Sequence, residues 1–213
     1  MDQQNIKKLL DSFQAKQDKT IVIVDYGNVE KWKRTLNWIV GIKELGQLVR
    51  NLSRGNQELR RFYYGEDYGP NEKSQVLTEW SRAILEMAEM SKFFVSKKRV
   101  KYIYDSNVQS GFAKKCDLDV EMAVDLIKLK DFYDDIILFS GDGDLMYVID
   151  YLHDQYKKNC VVFGARDHIG REVFDSKIKG SVTNILFAED LEYRLNKYRF
   201  SRQNQKPAKN GGF

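Results

Sequence analysis

Asp135-Ile-Ile-Leu-Phe-Ser-Gly-Asp-Gly-Asp144 is the stretch whose reading decides the fold. It is a short apolar run that breaks into Ser-Gly-Asp-Gly-Asp. Too short for a helix and without polar alternation, such a run reads as a strand covered on both faces. Thr20-Ile-Val-Ile-Val-Asp25 repeats the pattern, a β-branched run closed by an aspartate. Two strands of this kind need helices above and below them, which makes a parallel α/β sheet the expectation.

Working outward, helical and strand periodicities alternate. Helices are predicted over Trp38–Leu52, Glu72–Met90 (with Val76, Trp80, Ile84, Leu85 and Met87), Leu118–Leu129, Leu145–Tyr156, Gly170–Ser176 and from Glu189. Strands are predicted at Leu59–Tyr64, Cys160–Phe163 and Ile185–Phe187, and Phe93–Tyr104 is β-rich, as one strand or a hairpin. The expected fold class is α/β, a three-layer fold with a central, mostly parallel sheet and helices on both faces. Residues 1–19 read as a helical extension with Ile6, Leu9, Leu10 and Phe13 on one face, residues 20–198 as the domain, and 199–213 as a flexible basic tail. The helix can serve a homodimer contact or the domain core, and the sequence leaves both open.

The chain has 213 residues, enough to bury a core, and a globular composition with 42 % hydrophobic residues. No apolar stretch reaches membrane-spanning length. The first residues, MDQQNIKKLLDSF, mix charge into every turn, unlike a secretory leader. Two cysteines, Cys116 and Cys160, without paired spacing give neither a disulfide framework nor a zinc cage, so a cytoplasmic location is expected. The net charge of +4 demands no polyanion. Its distribution says more, since acids gather in Asp117–Asp125 and Asp131–Asp144 and bases in Lys92–Lys101, Lys114–Lys115 and after Phe200. That pattern suits a protein that holds cations and meets phosphates, and plain surface heterogeneity would also give it.

Three motifs carry chemistry. Asp25-Tyr-Gly-Asn28 follows the first buried strand, where open α/β sheets keep their working groups; Asp25 could equally cap the next segment. Ser140-Gly-Asp142-Gly-Asp144 follows the second. One acid suffices for a cap, and the repulsion of a second is relieved by a cation. In Asp117-Leu-Asp119-Val-Glu-Met-Ala-Val-Asp125 the first acids open a helix, where carboxylates are favoured in any case. Asp125 lies six residues after Asp119. It therefore points about 120° away and reads as a supporting residue that orients Asn28 or a lysine. Taken together, Asp25, Asp119, Asp142 and Asp144 form a hard-oxygen donor set suited to Mg²⁺ or Mn²⁺, and phosphodiester hydrolysis is the chemistry that uses one. The only histidines are His153 and His168, so no Ser-His-Asp or Cys-His arrangement competes.

In this order and spacing, over about Thr20–Leu191, the motifs resemble the NYN domain family of PIN-like nucleases, its bacterial LabA-like branch above all. The resemblance implies a PIN-like fold, a Mg²⁺ or Mn²⁺ site and RNA as substrate. It implies Asp25, Asp119, Asp142 and Asp144 as metal ligands, Asn28 as a positioning group and Ser140 as support. The chain departs from the family's pattern at Leu145, where a Phe is common, at Cys116 in the lead-in to the helix motif, and around Arg171, where a Ser is common.

Bases interleaved with aromatics in Lys92–Tyr104 make Lys97, Lys98 and Arg99 candidate phosphate contacts, with an edge strand guarded by lysines as the alternative. Lys114 and Lys115, just before Asp119, are further candidates, as are the loop Trp32-Lys33-Arg34, and Arg166, His168 and Arg171 at the site's edge. The expected function is a metal-dependent ribonuclease. Its rivals are a non-catalytic or partner-dependent RNA-binding module and a haloacid dehalogenase-like phosphatase. The last needs an Asp where this chain has Gly27.

Overall fold

The computed structural model describes residues 3–14, 19–53, 56–69, 74–107 and 111–198. The tail expected over 199–213 lies outside them. In chain order the elements are α1 (Gln3–Gln14), β1 (Thr20–Asp25), α2 (Tyr26–Lys31), α3 (Lys33–Leu36), α4 (Ile42–Leu52), β2 (Arg60–Glu66), α5 (Glu79–Met90), β3 (Phe94–Arg99), β4 (Lys101–Tyr104), β5 (Phe112–Lys115), α6 (Asp119–Lys128), β6 (Asp135–Phe139), α7 (Met146–Tyr156), β7 (Asn159–Gly164), α8 (Arg171–Lys179), β8 (Val182–Phe187) and α9 (Glu192–Leu195).

The main sheet has the order β3-β2-β1-β6-β7-β8, with every neighbouring pair parallel. The expected α/β architecture holds. β1 and β6 lie side by side, Val22 opposite Ile137, and every residue of β6 is buried. Alternate side chains of β1 enter different cores. Val22 and Val24 pack with α1, α4 and α5, while Ile21 and Ile23 pack with α6, α7 and α8. This double coverage is why both strands appear in the sequence as unbroken apolar runs. The strand order reverses between β1 and β6, and the crevice at that switch point is where such sheets bind ligands.

Helix α1 belongs to the domain. Ile6, Leu10 and Phe13 are buried in the same core as α4, each worth roughly 1.5–3 kcal/mol, so its apolar face does not wait for a dimer partner. Two helices begin later than their periodicity suggests. Asn37 takes a left-handed conformation (φ 58°) after α3, and α4 starts only beyond Gly41. Thr78 caps α5 by accepting from the Ser81 amide at 3.3 Å. Val76 and Trp80, read as core, are 66 % and 54 % exposed, whereas Ile84 and Leu85 are buried. The β-rich Phe93–Tyr104 splits in two. β3 joins the edge of the main sheet, and β4 pairs antiparallel with β5 in a separate two-stranded ribbon. Among the described residues no helix is long and apolar enough to cross a membrane.

Candidate active-site cleft

Beside the carboxyl ends of β1 and β2 opens a cleft of about 630 Å³, lined by Asp25, Asn28, Lys31, Tyr63, Asp67, Lys114, Lys115, Cys116, Asp117, Asp119, Asp142 and Asp144, among others. The four aspartates singled out in the sequence therefore share one wall system, although they come from three separate segments. Asp25, Asp119 and Asp142 are half-buried and Asp144 is exposed.

Asp25 is the cap that the sequence reading allowed, and it also reaches the second motif. Its Oδ1 accepts from the Asn28 amide at 3.1 Å, capping α2, while Oδ2 accepts from Ser140 Oγ at 3.1 Å. Ser140 Oγ accepts in turn from the Asp142 amide at 3.2 Å, so the two motif loops are tied together. Asn28 completes the tie. Its Oδ1 accepts from Trp32 Nε1 at 2.9 Å and from the Gly141 amide at 3.0 Å. Two donors on the oxygen fix the amide orientation and leave the Nδ2 hydrogens as donors for the cleft. Neither Asp142 nor Asp144 caps α7, whose N-cap is Leu145 with no side-chain bond. At α6 the Asp119 amide bonds Asp117 Oδ1 at 3.1 Å, so Asp117 takes the local turn role, and both carboxylates line the cleft.

Electrostatics reports the same convergence. Burial pushes the Asp119 carboxyl up to about 7, reinforced by Asp117 and by the charges of Asp142 and Asp25. Burial also raises Asp25, against the opposing hydrogen bonds from Asn28 and Ser140. Asp117, stabilised by the Asp119 amide, is held below the usual carboxylate range. Among the described residues no three of His, Cys, Asp and Glu are gathered closely enough to hold an ion. The donor set fits a hard divalent cation in chemistry and in mutual repulsion, with side-chain adjustment needed to close around it.

A stability prediction follows. Asp119 keeps its proton in the folded chain up to about pH 7, but from an ordinary value of 3.8 when unfolded. The folded state therefore binds more protons across that window, and raising pH through it removes stability. In chelator, the melting temperature should fall between pH 4 and pH 7 more steeply for the native protein than for Asp119→Asn. Parallel curves would show that Asp119 stands outside the charge cluster.

Several candidates lie elsewhere. Asp125 orients neither Asn28 nor a lysine. It accepts from Tyr63 Oη at 2.8 Å and pairs with Arg61 at 3.3 Å, because β2 and not the cleft loops faces that side of α6. Lys97, Lys98 and Arg99 do not line the cleft. Lys97 pairs with Glu66 at 2.8 Å and Lys98 with Glu121 at 2.7 Å; Arg99 donates to the Ser74 carbonyl and covers Tyr68. Arg166 is taken by Asp190 at 3.1 Å, and neither His168 nor Arg171 reaches the cleft lining. Lys114 and Lys115 do line it, the former bonded to Asp67 at 2.6 Å. The reading missed Asp67, Tyr63 and Lys31, and it took Trp32 as part of a loop that touches substrate. Trp32 is fully buried although Lys33 and Arg34 follow it directly. Its spacing of four from Asn28 was the available signal for a helical contact.

A parallel sheet of this order, covered by helices on both faces and with a cleft at its switch point, defines a doubly wound α/β domain. The chain belongs to the NYN domain family, a nuclease-like family that it matches over residues 19–179. It is 33 % identical over 70 residues to the low amplitude and bright protein LabA of Synechococcus elongatus, an alignment covering 33 % of this chain and 38 % of LabA. The match thus spans well under half of that relative. A crystal structure of a Vibrio parahaemolyticus protein of unknown function has the same fold, with a TM-score of 0.58 at 18 % identity, covering 80 % of this chain and 93 % of that one.

Proposed function

We propose that this protein is a metal-dependent endoribonuclease that hydrolyses RNA phosphodiester bonds in the cleft at the switch point, in the cytoplasm. The observation that carries this reading is that Asp25, Asn28, Asp119, Asp142 and Asp144 all line one cleft that also presents Lys114 and Lys115. The four aspartates would hold Mg²⁺ or Mn²⁺, which when bound supplies water activation and charge neutralisation at the scissile phosphate.

The chain's own residues do the positioning. Ser140 and the Asn28 amide fix Asp25 so that its carboxylate is preorganised. Asn28, oriented through its oxygen, offers Nδ2 to a phosphate oxygen or a water. Lys31, Lys114 and Lys115 on the cleft wall counter the substrate's charge. A second reading, an RNA-binding module that cleaves only with a partner, is favoured by one observation, the spread of the acids in the described residues.

The test is incubation of single-stranded and structured RNA with Mn²⁺, beside Asp142→Asn, with calorimetry for Mn²⁺ and Mg²⁺. Metal-dependent cleavage that Asp142→Asn lowers on the order of 10²-fold is expected. Equal cleavage by both would remove Asp142 from the site. RNA binding with neither cleavage nor a metal signal would give the second reading the place of the first.

A further inference from the structure

The β4–β5 ribbon stands apart from the main sheet and brings three exposed large apolar side chains together on two short strands. Tyr104 is 74 % exposed, Ile103 49 % and Phe112 41 %. Tyr104 and Phe112 are cross-strand partners, their rings edge to face with centroids 6.2 Å apart. At the other end of the ribbon Lys101 lies directly opposite Lys115, a like-charge pair that disfavours the ribbon unless an anion sits near it. The neighbouring ammoniums are taken, Lys98 by Glu121 and Lys114 by Asp67. Lys101 and Lys115 make no carboxylate pair among the described residues.

The ribbon is fixed to the cleft. Tyr102 Oη and Lys114 Nζ both donate to Asp67, a cleft residue, at 2.5 and 2.6 Å. Lys115 lines the acidic cleft and also a groove of about 230 Å³ shared with Lys98, Arg99, Lys101, Ile103 and Asp117. Lys115 and Lys101 therefore carry positive charge past Asp117 from the cleft onto the ribbon, and stacking faces lie at the ribbon's outer end.

We propose that this ribbon is a single-strand platform. RNA leaving the cleft lays its phosphates on Lys115 and Lys101 and stacks its bases on Tyr104 and Phe112. This inference rests on the nuclease reading and narrows its substrate to unpaired RNA. Stacking on aromatics requires exposed base faces, which a duplex keeps in its own stack. A ribbon only two strands wide is also thin enough for a flexible chain to touch both of its faces, on which the lysine and aromatic pairs alternate. The sequence reading weighed Lys92–Tyr104 as a phosphate-and-stacking surface against an edge strand whose aromatics face the core. Phe93 is buried and Phe94 lies under the Arg61 guanidinium at 4.1 Å, so the platform instead joins Tyr104 with Phe112 from a segment the pattern did not mark.

The test is fluorescence anisotropy on the full chain in chelator, with labelled poly-A as the single strand and its poly-U duplex as the comparison. Tyr104→Ala/Phe112→Ala should weaken single-strand binding about tenfold or more, given the usual worth of base–aromatic stacking, and leave duplex binding unchanged. Tyr104→Trp should retain it, which a misfolded ribbon would not allow. Lys101→Ala should lower the salt dependence of single-strand binding by about 0.7 in logarithmic slope, the contribution of one phosphate contact. With Mn²⁺ the double variant should cleave saturating RNA at the native rate but with raised KM. If the native chain binds poly-A and the double variant binds it equally, or loses single strand and duplex alike, the platform is overturned and the nuclease reading stands. If the native chain binds no RNA in either form, both fall.

Discussion

Asp25→Asn should leave the fold standing and lower RNA cleavage on the order of 10²–10³-fold, the scale of removing one preorganised charge from a site. The two halves of this expectation come from the same hydrogen bonds. Asparagine is as good a helix N-cap as aspartate, so its Oδ1 continues to accept from the Asn28 amide and α2 keeps its start. On the other side Nδ2 replaces Oδ2 and donates to Ser140 Oγ, which then loses the acceptor for its own hydroxyl hydrogen. That loss costs about 0.5–1.5 kcal/mol. It is offset by removing a carboxylate whose burial and whose neighbour Asp142 both disfavour its charge. The net change in stability should be within about 1 kcal/mol, measured as the urea midpoint at unchanged slope. Calorimetry with Mn²⁺ should show weakened binding. An Asp25→Asn protein that cleaves like the native one would mean that Asp25 serves only as the cap of α2.

The same residue shows how far the sequence could be read. Asp25 and Ser140–Asp144 were legible because each ends a strand covered on both faces, and such strands write their burial as uninterrupted apolar runs. Asp119 was legible as a helix-opening acid, though only the fold shows that Asp117 is tied to the Asp119 amide while the half-buried Asp119 carboxyl feels the charges of Asp142 and Asp25. What failed depends on side chains far apart in sequence. The partner of Asp125 is Tyr63, 62 positions away on β2, and no local periodicity encodes that meeting. The lysines of β3 looked like phosphate contacts because charge is visible in a sequence and pairing is not; Glu66 and Glu121 come from other elements. The β5 strand escaped notice because a four-residue ribbon strand that is exposed but for half-buried Ala113 has neither an apolar run nor a core to impose one. Trp32 was read as loop for the opposite reason, a core residue set among charges at the end of a helix too short to show a stripe.

Gly141→Ala should be the most destabilising single-methyl change in the motif loops, at about 3 kcal/mol, whereas Gly143→Ala should cost under about 1 kcal/mol. The contrast is one of what each methyl meets. At Gly141 a Cβ would stand 1.7 Å from the His168 carbonyl oxygen and 2.7 Å from its carbon, both backbone. No rotamer can give way, so the segment before α8 must retreat. With it goes the bond from the Gly170 amide to the Gly141 carbonyl at 2.7 Å. Overpacking of this kind costs about 1–3 kcal/mol, and the broken bond about 1 kcal/mol more. At Gly143 the added carbon would meet the Glu172 carboxylate oxygen at 2.4 Å, the end of a flexible chain that can swing aside, and Glu172 Cβ at 2.9 Å, a side-chain contact that a small shift of α8 relieves. The requirement at Gly141 is therefore space rather than backbone freedom. It ties the cleft to the fold, since the Gly141 amide is one of the two donors that orient Asn28. Chemical denaturation of the two variants should separate them by about 2 kcal/mol, and Gly141→Ala should also lose RNA cleavage while Gly143→Ala keeps most of it. Equal midpoints would show that the 165–170 segment yields freely and that the close approach does not hold the loop in place.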